Sequence, residues 1–259
     1  MLLFNIKKEK QINKFQTFNL NLSDEDRILL NNLKVNRESI LTLRGLYSYD
    51  KYIDESLIHS FNIDDIKRIR VKNIIKNIIN EFLTKTKQES GLIHLRISKP
   101  NDQFKIPRWH QDGSYFKGQK NYNIKLLTTL KGKSTLVSRW NKEAIDEEQK
   151  VWKLIEEKRA NHMKASSNNW MRKFDKCDAY RSTKLKSLRI KLSKIVKHEP
   201  LNYDSAYSYV NGKYATMHSE PNITEDRIFL AVMPNSWENI KKCKQKTNFI
   251  KSKKIIFNK

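Results

Sequence analysis

The most informative part of the chain is one hexapeptide, Arg108-Trp109-His110-Gln111-Asp112-Gly113. His110 and Asp112 are two positions apart, and side chains at i and i+2 of an extended strand leave the same face. An imidazole and a carboxylate therefore point to one spot, which suits a divalent metal if a second imidazole arrives from elsewhere. His218 is the candidate, because two histidines and one carboxylate on one face leave the opposite coordination positions open.

The segments around this motif predict a core rich in strands. Short apolar or alternating runs occupy residues 92–97, 124–130, 134–138, 207–210, 214–217 and 227–233. The turn at 131–133 predicts a hairpin between the second and third of these runs, and Asn211-Gly212 predicts one between the fourth and fifth. Pro234 is expected to close the last strand, since proline cannot donate to a ladder.

Helical patterns lie on both sides of these strands. Ser23 can cap a helix whose first turn is acidic, and 64–84 is the clearest helix, with isoleucines at helical spacing behind Asp64 and Asp65. Residues 141–165 are charged and helix-prone. Residues 182–197 contain many lysines and no acid, and their apolar positions fit either a helix or a strand.

The net charge is strongly positive, +24, from 52 Lys and Arg against 28 Asp and Glu. One interpretation is attraction to nucleic acid or another polyanion. The other is compositional, because Lys, Asn and Ile are abundant along the whole length rather than gathered in one block. The sequence leaves both open.

Compartment signals point to a soluble intracellular protein. Cys177 and Cys243 are far apart and form no C-x-x-C pair, so neither a disulfide framework nor a zinc site of that type is predicted. The N-terminal apolar run is too short for a signal-peptide core, and no run is long enough for a membrane span.

The spacing of the candidate ligands resembles a known superfamily. His110-x-Asp112, a distant His218, and Arg227 nine residues later on a strand resemble the Fe(II)/2-oxoglutarate-dependent dioxygenases over about residues 90–235. The resemblance implies an α+β protein with a double-stranded β-helix, or jelly-roll, core. It implies a jelly-roll domain at 91–235, preceded by an N-terminal helical region at 1–90 that packs on it.

Two further segments complete the expected organisation. A helical, lysine-rich insertion is expected at about 141–200, because 105 residues separate Asp112 from His218, which is long for the superfamily. Residues 236–259 are expected to form a basic C-terminal tail.

The resemblance also implies roles for the site residues. His110, Asp112 and His218 would carry Fe(II), and Arg227 would pair with the distal carboxylate of 2-oxoglutarate, to which a planar guanidinium fork is well matched. The implied reaction hydroxylates an unidentified substrate while 2-oxoglutarate is decarboxylated to succinate. Phe229 stands where the superfamily often has a serine. Further cosubstrate contacts are open among Arg96, Arg108, Thr128 and Thr135.

Three other interpretations use the same residues. The two histidines could be hydrogen-bonded core residues, with Asp112 opening a turn at Gly113. The chain could be a basic nucleic-acid-binding protein without catalysis. It could also be a degenerate oxygenase fold that serves as a scaffold.

Overall fold

The computed structural model describes residues 16–34, 41–48, 63–112, 123–138, 141–164, 170–200, 205–211 and 216–240. The helices are α1 (Asp24–Asn31), α2 (Asp65–Lys85), α3 (Lys142–Lys164) and α4 (Trp170–Ile195). The strands are β1 (Gln16–Asn19), β2 (Leu41–Ser48), β3 (Ser90–Ser98), β4 (Asn123–Lys131), β5 (Leu136–Ser138), β6 (His198–Pro200), β7 (Ser205–Asn211), β8 (His218–Ser219) and β9 (Arg227–Asn235). The predicted α+β class is confirmed.

The strands form two antiparallel sheets. The larger sheet has six strands in the order β1-β7-β4-β9-β3-β2, and the smaller has three in the order β6-β5-β8. Since β1 and β2 belong to the larger sheet, the segment 1–90, predicted as helical, contributes strands as well as helices. The division into 1–90, 91–235 and 236–259 remains a prediction.

One face of the larger sheet is covered by helix α2. Asp64 caps this helix by accepting a hydrogen bond from the backbone N–H of Lys67 at 2.8 Å, and Asp65 places a further negative charge in its first turn. Ile66 and Ile69, predicted to join its apolar stripe, are 81% and 61% exposed. The buried stripe starts later, because only the turns from residue 71 onward lie over the sheet. It packs on strand residues, among them Ile93, Leu95, Ile97, Leu230 and Val232.

The opposite face of the larger sheet is the polar one. Strand alternation puts on it Arg96 of β3, Lys125 and Thr129 of β4, and Arg227 and Phe229 of β9. Three side-chain contacts run from this face to the side of the smaller sheet: Lys125 to Asp112, Arg96 to Glu220, and Arg227 to Thr135. We call this polar face the inner face, because the predicted site residues lie against it.

The chain passes between the two sheets at Gly132. The predicted hairpin of 124–130 with 134–138 is wrong, because β4 pairs with β7 and β9 while β5 pairs with β6 and β8. Both edges of β4 pair with strands that are distant in sequence. The turn at Gly132 therefore connects β4 to a strand of the other sheet. The hairpin predicted across Asn211-Gly212 depends on residues 212–215, which lie outside the described part of the chain.

The last strand is longer than predicted. Pro234 does not end β9 but lies within it, opposite Gly91, and the strand runs on to Asn235. A helical turn follows at 237–240. Among the described residues, no helix is both long enough and apolar enough to span a membrane.

Helices α3 and α4 form an antiparallel hairpin. Asn141, which caps α3, donates through its side chain to the backbone oxygen of Ile195 at 3.0 Å, and Lys191 pairs with Glu147 at 2.8 Å. The open choice between helix and strand at 182–197 is therefore settled as helix as far as Ile195. The buried seam of the hairpin includes Ala144, Leu188, Leu192 and two residues from outside it, Trp109 and Met217. The hairpin thus packs directly behind the His110 motif.

Replacing Gly132 by alanine is expected to destabilise the fold. Gly132 has φ of +82°, and an added Cβ would lie 2.7 Å from the backbone oxygen of Asp226. A left-handed conformation alone costs an L-residue about 1–2 kcal/mol, and the contact is with backbone that cannot move aside. We expect urea unfolding to give a free energy lower by at least about 2 kcal/mol. Gly91→Ala is the control, because its added Cβ would meet side-chain atoms first; an equal or smaller loss for Gly132→Ala would contradict this account.

Candidate metal centre

His110 and His218 are brought together by the backbone. The N–H of each residue donates to the carbonyl oxygen of the other at 3.0 Å, and the two ring centroids are 4.4 Å apart. Asp112 joins them, and one ligand atom from each of the three residues lies within 4.8 Å of the others. Two ligands come from one extended segment and one from β8, as the i and i+2 spacing requires.

The ring orientation of both histidines is set by backbone carbonyls. His110 Nδ1 is 2.8 Å from the oxygen of Arg108, and His218 Nδ1 is 3.2 Å from the oxygen of Thr216. A carbonyl oxygen only accepts, so each Nδ1 carries the proton and each Nε2 keeps its lone pair. This is the tautomer that metal-binding histidines use, with the second ring nitrogen held by an outer partner.

Burial and charge prepare the donors for a cation. Burial lowers the pKa of His218 to about 4, so this imidazole is neutral at physiological pH. Burial alone would raise the pKa of Asp112, but its cationic neighbours, His218 when protonated and Lys125, hold that pKa well below its usual range. Asp112 is therefore an anion at neutral pH, and its Oδ2 lies 3.7 Å from His218 Nε2.

Lys125 of β4 is a residue of the candidate site that sequence reasoning did not single out. Its Nζ lies 2.6 Å from Asp112 Oδ2, with side-chain exposures of 6% for the lysine and 9% for the aspartate. A buried ammonium of this kind needs a paired anion. The signal in the sequence was a single lysine inside the apolar run 124–130, on the same strand face as Thr129.

Glu148 of α3 is a second residue that the sequence analysis missed. The backbone N–H of Gln111, between the two ligands of the H-x-D motif, donates to both carboxylate oxygens of Glu148 at 3.1 Å. Burial raises the pKa of this carboxyl to about 7, although the Gln111 N–H opposes the shift. The signal was an acid on the apolar stripe of a helix, four residues after Ala144 and seven before Ile155.

Glu148→Gln is expected to change how stability depends on pH. Because the pKa of Glu148 is raised from an ordinary 4.5 to about 7, the folded state binds more protons than the unfolded state between these values. The stability contributed by this group is complete below about pH 4.5 and is lost as pH rises towards 7. The difference in unfolding free energy between variant and wild type should therefore shift in the variant's favour over this window, measured by urea titration at several pH values.

Glu147→Gln is the matched control for that series. Glu147 is the neighbouring acid on α3, and its pKa is lowered by the hydrogen bond from Lys191. Its replacement should therefore not reproduce the loss of slope between pH 4.5 and 7. Parallel curves for wild type and Glu148→Gln would show that this carboxyl does not titrate there.

Arg227 is buried on the inner face. It is 1% exposed, and its guanidinium donates to the oxygen of Lys133 at 2.8 Å and to the hydroxyls of Thr129 and Thr135 at 3.2 and 2.8 Å. Its Cζ lies 4.9 Å from the centroid of the Phe229 ring, the residue found in place of a serine. Burial lowers the pKa of Arg227 to about 9, so the side chain is still charged at neutral pH.

The open cosubstrate candidates separate by position. Thr135 contacts Arg227 directly. Arg96 and Arg108 both lie within reach of Glu220, two residues beyond His218. Thr128 alternates to the face covered by α2, opposite Leu230, so it points away from the site.

Comparisons with known proteins add little to this geometry. No family model matches the chain, and no curated protein matches it. Among solved structures, it is similar to a prolyl-4-hydroxylase of Pseudomonas putida, with a TM-score of 0.34 and 7% identity over 86% of this chain and 92% of that one. At these values we draw nothing from the likeness, and the class of the site rests on its donor set: two histidines and one carboxylate that could hold a metal ion.

Proposed function

We propose that this chain is an Fe(II)/2-oxoglutarate-dependent oxygenase. The observation that carries the proposal is the convergence of His110, Asp112 and His218, with ligand atoms within 4.8 Å of one another and both Nδ1 atoms held by carbonyls. Two imidazoles and a carboxylate with open positions opposite are the donor set of non-heme iron oxygenases. The alternative of two core histidines does not account for a buried aspartate and lysine beside them.

A double-stranded β-helix at 91–235 is part of the same proposal. The two antiparallel sheets are compatible with that architecture. Site residues lie on the inner face of the larger sheet and on the bridge between His110 and His218, which extends the smaller sheet. The helical hairpin of α3 and α4 would then be the insertion between Asp112 and His218. It contributes Glu148, which holds the backbone between the two first ligands.

Each residue has a distinct task in the proposed enzyme. His110 and His218 would bind iron through Nε2, and Asp112 through its carboxylate, which is already ionised. When bound, iron would activate dioxygen as the oxidant, with one oxygen atom used to convert 2-oxoglutarate to succinate and CO2 and the other to hydroxylate the substrate. The chain fixes the donors in one face and keeps bulk water from two of them, since His218 is 6% and Asp112 9% exposed.

Arg227 is the proposed anchor for the distal carboxylate of 2-oxoglutarate. Within the described part of the chain, hydrogen bonds occupy its Nε and Nη2 and leave Nη1 for an anion. The two threonine hydroxyls and the Phe229 ring fix the plane of the guanidinium. A rigid, buried cation of this kind binds a carboxylate with little loss of side-chain entropy.

The direct test is turnover of 2-oxoglutarate by the purified protein. With Fe(II) and ascorbate under air, the wild type is expected to release succinate even without a prime substrate, slowly, and His110→Ala is expected to release none above the no-enzyme rate. Binding of 2-oxoglutarate should weaken at least tenfold in Arg227→Gln. If the wild type binds neither Fe(II) nor 2-oxoglutarate, the enzymatic proposal is wrong and a scaffold or a purely cationic binding protein remains.

A further inference from the structure

A cluster of arginines lies on the same face as the metal ligands. The antiparallel backbone bridge pairs His110 with His218. Arg108, two residues before His110, and Glu220, two residues after His218, therefore lie opposite one another on the same face. Arg108 Nη2 lies 2.6 Å from Glu220 Oε1. At about 3.3 Å per residue, this pair is roughly 7 Å from the ligands, within the span of a small bound substrate.

Arg96 joins the pair from the larger sheet. Its Nη1 lies 3.2 Å from the same Glu220 oxygen, and both guanidiniums lie against the buried ring of Phe104, at 5.5 and 5.6 Å. Two cations thus share one carboxylate oxygen. The Nε atoms of both arginines and Oε2 of Glu220 are buried without a hydrogen-bond partner in the described part of the chain. Such a half-satisfied network requires an explanation.

A third arginine extends the cluster onto helix α4. Arg189 follows Leu188, which packs in the same seam as Trp109, the neighbour of Arg108. Burial lowers the pKa of Arg189, the charge of Arg108 lowers it further, and the charge of Glu220 opposes both. Two guanidiniums therefore pair with the single carboxylate of Glu220, and the charge of Arg189 is electrostatically coupled to this pair.

The basic cluster continues along the surface of α4. Lys186, Arg189 and Ser193 recur at spacings of three and four, which puts them on one helix face. Residues 182–197 contain no acid, whereas acidic and basic residues balance in α3. The helix rises roughly 10 Å from Lys186 to Ser193, enough to contact successive phosphates. We call Arg96, Arg108 and Arg189 the arginine cluster, and Lys186, Arg189 and Ser193 the α4 stripe.

We infer that the arginine cluster binds a backbone phosphate of a single-stranded nucleic acid, which runs along the α4 stripe with one nucleotide entering the metal site. Guanidiniums match phosphate oxygens in a planar, bidentate manner. The strand must be single or locally opened, because ligands as buried as His218 can reach only an unstacked base. This inference rests on the proposed oxygenase for the reaction, although not for the binding, and it names the substrate class.

Fluorescence anisotropy with a labelled twelve-nucleotide oligothymidylate tests the binding. We expect the wild type to bind it with an affinity that falls as salt rises, with a slope proportional to the number of phosphates that the protein neutralises. The double variant Arg108→Gln/Arg189→Gln should bind at least tenfold more weakly, and its salt slope should fall by about one for each phosphate that is no longer neutralised. Arg108→Lys should recover part of the affinity, since the charge is retained while the planar fork is removed.

The matched control removes the same charge elsewhere. Lys150→Gln/Lys153→Gln changes two exposed lysines of α3 and should bind the oligonucleotide within about twofold of wild type. Cobalt titration of each variant checks that the metal site is intact. A labelled glutamate dodecapeptide is the comparison ligand and should bind at least tenfold more weakly than the oligonucleotide.

The outcomes separate this inference from the proposed function. Equal losses of affinity in the two double variants would mean that binding follows net charge alone. Equal binding of the peptide and the oligonucleotide would mean that the protein does not recognise phosphate. Either result overturns the assignment. Undetectable oligonucleotide binding also overturns it, whatever the succinate assay gives. Localised oligonucleotide binding in a protein that fails to bind iron would instead leave the phosphate site standing and refute the oxygenase.

Discussion

His218→Ala will reduce divalent-metal affinity at least a hundredfold. Loss of an outer partner of a metal-binding histidine typically costs 10- to 100-fold, and here a ligand itself is removed, which leaves His110 and Asp112 as donors. The ammonium of Lys125, 2.6 Å from Asp112, then competes for the remaining carboxylate. Anaerobic titration with Fe(II), or with Co(II) followed by its visible absorption, gives the affinity directly.

His94→Ala is the control for this prediction. His94 lies on β3, edge-on to Phe229 with ring centroids 6.3 Å apart, and it is not one of the three metal-ligand candidates. It should keep metal affinity within about threefold of wild type. The bridge between residues 110 and 218 uses backbone atoms alone, so circular dichroism should show His218→Ala folded. Wild-type metal affinity in a folded His218→Ala would mean that the three residues do not form a site.

The convergence of His110, Asp112 and His218 could be predicted because local rules determine most of it. The i and i+2 spacing fixes the common face of His110 and Asp112, and a strand before β9 is the natural position for the second histidine. The tautomers follow from carbonyls two residues before each histidine, Arg108 and Thr216. Such short-range geometry is carried by the sequence itself.

The parts that escaped prediction depend on distant partners. Lys125 and Glu148 are charged residues on apolar faces, and a sequence does not show which buried group will compensate them. The pairing of β4 was missed for the same reason, since its neighbours β7 and β9 follow long after it in the chain. Competition between strands that are distant in sequence decides which strands pair. The turn residues at 131–133 cannot decide this pairing by themselves.

Lys125→Met will destabilise the metal-free protein by about 3–5 kcal/mol, the usual cost when one partner of a buried ion pair is removed. Asp112, 9% exposed, would keep its charge without the ammonium that offsets it. Urea unfolding in the presence of a chelator gives the free energy. The loss should shrink as pH falls, because without the ammonium burial raises the pKa of Asp112, and protonation then removes the charge that Lys125 compensates.

The same substitution tests whether Lys125, besides stabilising the fold, competes with a metal ion for Asp112. If the ammonium stands where metal charge would otherwise balance Asp112, Lys125→Met will bind Co(II) more tightly than wild type, and saturating metal will raise its melting temperature by more. Lys133→Met, an exposed lysine of the turn after β4, should change stability by less than about 0.5 kcal/mol and leave metal affinity unaltered. A Lys125→Met protein that is as stable as wild type and gains nothing from metal would contradict this account. In that case the Asp112 carboxylate would be the counter-charge of neither Lys125 nor the proposed iron.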